Sequence, residues 1–245
     1  RFWVKLPNNE STNVPLIIQM FSEIADFLSS SAYTTFNNRF DTRSFKDNSL
    51  DKNSLSGNVV KTIFEDRDNH LWVGLFQNGL ELLQAGTGSF QHIGDPYNGT
   101  NALRTSNIWS IAQRKDGELW IGTVGYGLIV FDPKNKRSKN YSPVAGDENS
   151  ISEINIMKVF VDNKDMGWIG TANNGLAKWN DETQSFTRYS YDSNDPHSLS
   201  NNEVRCIFQD SEDRIWIGTE GGGINLWEGG SRFKTFTHND GLIAN

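Results

Sequence analysis

Between Asn107 and Ser142 the chain alternates short apolar bursts with turn formers. Ile108–Ala112 reads as a strand, Lys115-Asp116-Gly117-Glu118 as a tight turn, and Leu119–Thr123 as a second strand. Val124-Gly125-Tyr126-Gly127 turns the chain into a third strand at Leu128–Phe131. Asp132-Pro133-Lys134-Asn135 turns it again, into a fourth at Lys139–Ser142. No helical period interrupts this, so the unit is one four-stranded antiparallel sheet. Neither face is polar: Trp120 and Gly122 point one way, Leu119 and Ile121 the other. A sheet apolar on both sides persists only between similar sheets.

The unit recurs. Trp72, Trp120, Trp168 and Trp216 stand 48 residues apart, each followed two positions later by Gly74, Gly122, Gly170 or Gly218. Gly79, Gly127, Gly175 and Gly223 keep the same step. A fixed period of this length marks a solenoid, propeller or array. The expected fold is all-β, a β-propeller of four-stranded antiparallel blades at about 58–93, 107–142, 155–190 and 203–237. A degenerate blade is expected at 13–50, and 1–6 reads as the last strand of a preceding blade. The whole of 1–245 is then one propeller domain or part of one, an excerpt of a larger ring. Trp72, Trp120, Trp168 and Trp216 are assigned to the core. The glycine after each is expected where the adjacent blade comes close.

Composition narrows the function. A net charge of −7 with scattered basic residues excludes the basic stripe of a nucleic-acid binder. The apolar runs are short, Leu16-Ile17-Ile18 ending at Gln19 and Leu128–Phe131 at Asp132, far short of a bilayer span. The single Cys206 rules out an internal disulfide or cysteine cluster and is expected to be a small core residue. His70, His92, His197 and His238 occupy dissimilar repeat positions without metal-ligand spacing, so no metal or cofactor is expected. No Gly-x-Ser-x-Gly elbow occurs, and Gly221-Gly222-Gly223 joins two strands instead of opening a helix. The segment is therefore read as non-catalytic, although abundant carboxylates leave a glycosidase or lyase pair as an alternative. The acidic turns, Asp66/Asp68, Asp116, Asp162/Asp165 and Asp210/Asp213, are assigned to turn chemistry.

Binding is expected on loops held by the scaffold. Two sets of connections should emerge at one end of the blades. One includes Tyr97, Asn98, Asp147, Asn149, Asp195 and His197; the other includes Phe76, Asn78, Tyr126, Asn173, Asn174 and Glu220. Aromatic rings beside amides and carboxylates suit a sugar. The alternative reading of the Asn and Asp residues is simple turn formation.

The pattern of first strand, acidic turn, Leu119-Trp120-Ile121-Gly122-Thr123, short turn and Gly127-Leu128 resembles the two-component regulator propeller repeat. So do the linkers Asn53-Ser54-Leu55-Ser56, Asn149-Ser150-Ile151-Ser152 and Asn194–Val204. The resemblance covers 54–245 well and 1–53 weakly. It implies a larger propeller of about seven blades, in the periplasmic, extracytoplasmic sensor region of an inner-membrane hybrid histidine kinase of the Bacteroidetes type. The implied partners are an oligosaccharide ligand, further blades and a kinase on the same polypeptide, and a second copy of the full-length chain. A protein-interaction or dimerisation propeller without a small ligand is the alternative.

Overall fold

A computed structural model describes residues 44–93, 103 and 107–243. The fifth, degenerate blade and the strand at 1–6 are expected largely or wholly in Arg1–Arg43, outside the described residues. In Ser44–Leu50 there is only an isolated bridge, from Asp47 to Leu55.

The described residues form four four-stranded antiparallel sheets, each ordered as the chain runs. The first comprises β1 (Val60–Glu65), β2 (Leu71–Leu75), β3 (Gly79–Leu83) and β4 (Phe90–His92). The second holds β5 (Ile108–Gln113), β6 (Leu119–Thr123), β7 (Leu128–Asp132) and β8 (Arg137–Tyr141). The third holds β9 (Ile156–Val161), β10 (Gly167–Thr171), β11 (Leu176–Asn180) and β12 (Ser185–Tyr189). The fourth holds β13 (Val204–Gln209), β14 (Ile215–Thr219), β15 (Gly223–Gly229) and β16 (Arg232–Phe236). Neighbouring sheets pack chiefly through their first strands, β1 on β5, β5 on β9 and β9 on β13. The first strands therefore lie on the axial side. These are the blades of a β-propeller.

The core lies between blades. Trp72 and Leu80 meet Ile108, Ile121 and Phe131. Trp120 meets Ile156, Ile169 and Trp179, and Trp168 meets Val204, Ile217 and Phe233. Each indole approaches edge-on an aromatic in the third strand of the next blade. The centroid separations are 6.1 Å for Trp72–Phe131, 5.7 Å for Trp120–Trp179 and 4.9 Å for Trp168–Trp227. Such contacts add about 0.5–1.5 kcal/mol beyond area burial.

The glycine two after each indole is the seat for the next blade. A Cβ on Gly74 would lie 2.5 Å from Ile108 Cγ2, on Gly122 2.8 Å from Ile156 Cγ2, and on Gly170 2.6 Å from Val204 Cγ1. Gly167, where other blades carry Leu or Ile, leaves room for the Trp120 ring, which an added Cβ would strike. The linkers are pinned in the same register, with Leu55, Leu103, Ile151 and Leu199 all at most 4% exposed.

The fourth blade departs from the expectation. β6 and β10 are buried on both faces, but in β14 burial alternates, leaving Trp216 and Gly218 half-exposed. No described blade covers that face. Trp216 instead packs in its own sheet against Phe236, at 5.8 Å. Cys206, expected in the core, is exposed for the same reason, as is Phe208.

Two substitutions test the seats. Trp120→Ala should cost about 3–5 kcal/mol in urea unfolding, and Trp216→Ala distinctly less. Gly122→Ala should cost about 1–3 kcal/mol by overpacking Ile156. Gly218→Ala, whose new methyl meets only the Cys206 thiol, should cost less.

Candidate functional site

The turns between first and second strands carry the clearest electrostatic device. Asp66 Oδ1 accepts the backbone N–H groups of Asp68 and His70, while Oδ2 accepts the Trp72 indole at 2.8 Å and faces His70 Nδ1. Asp162 and Asp210 repeat the arrangement, taking the indoles of Trp168 at 3.0 Å and Trp216 at 2.7 Å. The acidic turns are turn chemistry, as expected, but the second role, an acceptor for the core indole, is new. The signal is an acid six residues before the tryptophan. Blade two has Arg114 there, and the Trp120 indole N–H is buried without a partner. Arg114 stacks over that ring and reaches into blade three, to Asp165 at 3.0 Å and Asp181 at 2.7 Å.

Burial pushes the Asp66 carboxyl up, but the bonds from Trp72 and from the His70 backbone and ring outweigh it, leaving it below the usual range. Asp210 is lowered in the same way, burial opposing and Trp216 and Arg214 prevailing. Asp66, Asp68 and His70 bring ligand-type atoms within 4.8 Å of one another. Both Asp66 oxygens are already committed to N–H groups, so the cluster is explained without an ion.

At the opposite end lie the turns between second and third strands, and their polar residues are largely spent on bonds to neighbouring blades and to the linker or first strand of their own blade. The side chains of Asn107 and Asn155 accept Gln77 N–H and Gly125 N–H from the preceding blade. Asn78 and Asn174 donate through Nδ2 to the carbonyls of Ser56 and Ser152. Asn173 donates to Glu153 from both backbone and side chain. Glu220 pairs with Arg205 at 3.2 Å. Thr123 and Thr171 close their turns onto the carbonyls of Gly127 and Gly175, which sit at φ 84° and 79°, a region that favours glycine. Tyr126 remains 44% exposed, and Phe76 is half-buried.

The two sets of connections do not share one end throughout. The carbonyls of Asn149 and His197 accept the N–H groups of Phe186 and Phe233, at the start of the outermost strands. That is the far end of the blade from Tyr126. His197 Nε2 there lies 3.1 Å from Arg232. Asp147 and Asp195 bond their own turns, through Asn149 N–H and His197 N–H. Tyr97 and Asn98 lie outside the described residues. Phe76, Asn78, Tyr126, Asn173, Asn174 and Glu220 are thus brought to one end, without His197.

Four residues on the axial side escaped the sequence reading. In every blade the first strand shifts register near its start, between Val60 and Thr62, Ile108 and Ser110, Ile156 and Lys158, and Val204 and Cys206. The extra residue is Lys61, Trp109, Met157 or Arg205. A bulge re-aims its side chain, and such features gather at functional sites. The available signal was a position locked to the repeat whose chemistry changes from blade to blade.

A family profile described as the two component regulator propeller matches residues 54–77, 102–125 and 198–221. These are two-component regulator propeller repeats. Among solved structures, the repeats are similar to the extracellular domain of BT4673 from B. thetaiotaomicron, described as a hybrid two-component system. The match has 30% identity and a TM-score of 0.59, covering 79% of this chain and 23% of that one. The extracellular domain of BT3049 from the same organism, also described as a hybrid two-component system, matches at 28% identity and a TM-score of 0.53. That match covers 75% of this chain and 28% of that one. This chain therefore spans about a quarter of these relatives. Virginiamycin B lyase from Staphylococcus aureus, at 12% identity and a TM-score of 0.52, shares the fold alone. Among proteins of curated function, none matches the sequence. No helix among the described residues is long and apolar enough to cross a membrane.

The acid–indole pairing predicts a pH dependence. A carboxylate held low in the folded state contributes stability that is complete above its unfolded value, about 3.9. The contribution is lost as pH falls through the folded value. Asp66→Asn should therefore lower stability at pH 7 and flatten its decline below about pH 4, read from urea midpoints across pH.

Proposed function

We propose that this chain is the non-catalytic ligand-sensing part of a two-component sensor, acting outside the cytoplasm and recognising an oligosaccharide. The observation that carries the reading is the likeness, at 28–30% identity, to extracellular domains described as two-component systems. The rim supports it: Tyr126 and Phe76 are aromatic where a turn needs no ring, beside amides that bonds to linkers and neighbouring blades already orient. A ring there can stack on the C–H face of a sugar while the orienting network holds the backbone still. Signalling would run through a kinase on the same polypeptide and pairing of two full-length copies. Ligand must then favour one arrangement over another, since equal affinity for both shifts nothing.

Isothermal titration against a panel of neutral and acidic glycan fragments, beside sedimentation of the free protein, tests this. One family of fragments should bind without turnover, and Tyr126→Ala should weaken that binding about tenfold with an unchanged melting temperature. Self-association with no glycan bound would favour the interaction propeller, and turnover of a fragment would favour an enzyme.

A further inference from the structure

The four bulged residues on the axial side differ in how their chemistry is balanced. Met157 is uncharged. Arg205 is neutralised twice, by Glu203 and Glu220. Lys61 enters none of the ion pairs among the described residues. Its ammonium sits instead between two aromatic rings, 4.8 Å from the centre of Trp109 in the next blade and 5.6 Å from the centre of Phe76. Rings hold a cation in place without cancelling its charge, and their low polarity strengthens its field toward an incoming anion. Trp109 adds a second donor: its indole N–H is shielded from water and has no acceptor. Such an orphan is rare in folded proteins. The cluster therefore offers two hydrogen-bond donor groups and no matching acceptor.

We propose that Lys61, Trp109 and Phe76 form a subsite for the carboxylate of an acidic sugar, a uronate. One carboxylate oxygen would sit on the ammonium. The second would reach the indole N–H as the lysine is drawn off the ring, and Phe76 would wall the sugar on the rim side. Phe76 belongs to the same turn end as Tyr126, so the subsite opens toward the rim already described. The inference rests on the oligosaccharide reading and adds to it the sign of the charge.

The test titrates the whole chain with trigalacturonate and with neutral galactotriose, at low and high salt, following heat and tryptophan fluorescence. Trigalacturonate should bind more tightly, weaken as salt rises, and change the fluorescence. Lys61→Gln should weaken it about ten- to hundredfold, leaving neutral binding and the melting temperature unchanged, while Lys61→Arg should restore most of it. Equal binding of both trimers, or uronate binding indifferent to Lys61→Gln, would overturn the subsite and leave the oligosaccharide reading standing. No binding of any glycan in the wider panel would overturn both.

Discussion

Everything in this fold depends on how closely one blade's second strand can approach the next blade's first. A four-stranded sheet with apolar residues on both faces is poorly solvated on either, and such sheets in a row solve the problem on each face that a neighbour covers. The approach is set by glycine. At Gly74, Gly122 and Gly170 the missing side chain is the space into which Ile108, Ile156 and Val204 fit. The tryptophan beside each seat then spans the gap and meets an aromatic at Phe131, Trp179 or Trp227. Those aromatics keep the same 48-residue step as the tryptophans they receive.

Holding the faces together leaves the edges to be managed, and hydrogen bonds do this at both ends. At one end the turn N–H groups of Arg67 and Asn163 bond to Gln113 and Gln209 of the following blade, and Lys115 bonds to Asp165. At the other, Asn107 and Asn155 perform the equivalent task. Polar residues that a sequence would nominate for ligand are therefore often mortar. Asn78 and Asn174 show it best, occupying equivalent positions and making equivalent bonds to a linker carbonyl.

This explains what could be read from the sequence and what could not. The blades, the tryptophan core and the glycine seats are legible because each is repeated with the period, and periodic selection leaves a periodic trace. Trp216 and Cys206 are less buried than their counterparts because burial depends on what stands on the far side of a sheet, which no single repeat records. His197 was placed at the wrong end because a linker doubles back along the outermost strand, and composition carries no direction. The bulge residues escaped for the opposite reason. Their location repeats, but Lys61, Trp109, Met157 and Arg205 share no side-chain chemistry, so a search for recurring residue types passes over them.

Gly167 carries a different lesson. Here a blade departs from its siblings to accommodate its neighbour, yielding volume to the Trp120 ring. Blade two lacks the acid that elsewhere holds the indole, and its arginine reaches blade three instead. The second and third blades are thus fitted to each other and not interchangeable with the rest. Duplicating, deleting or transposing blades in such a protein is accordingly not free, since the order of the modules is written into the shapes at their joints.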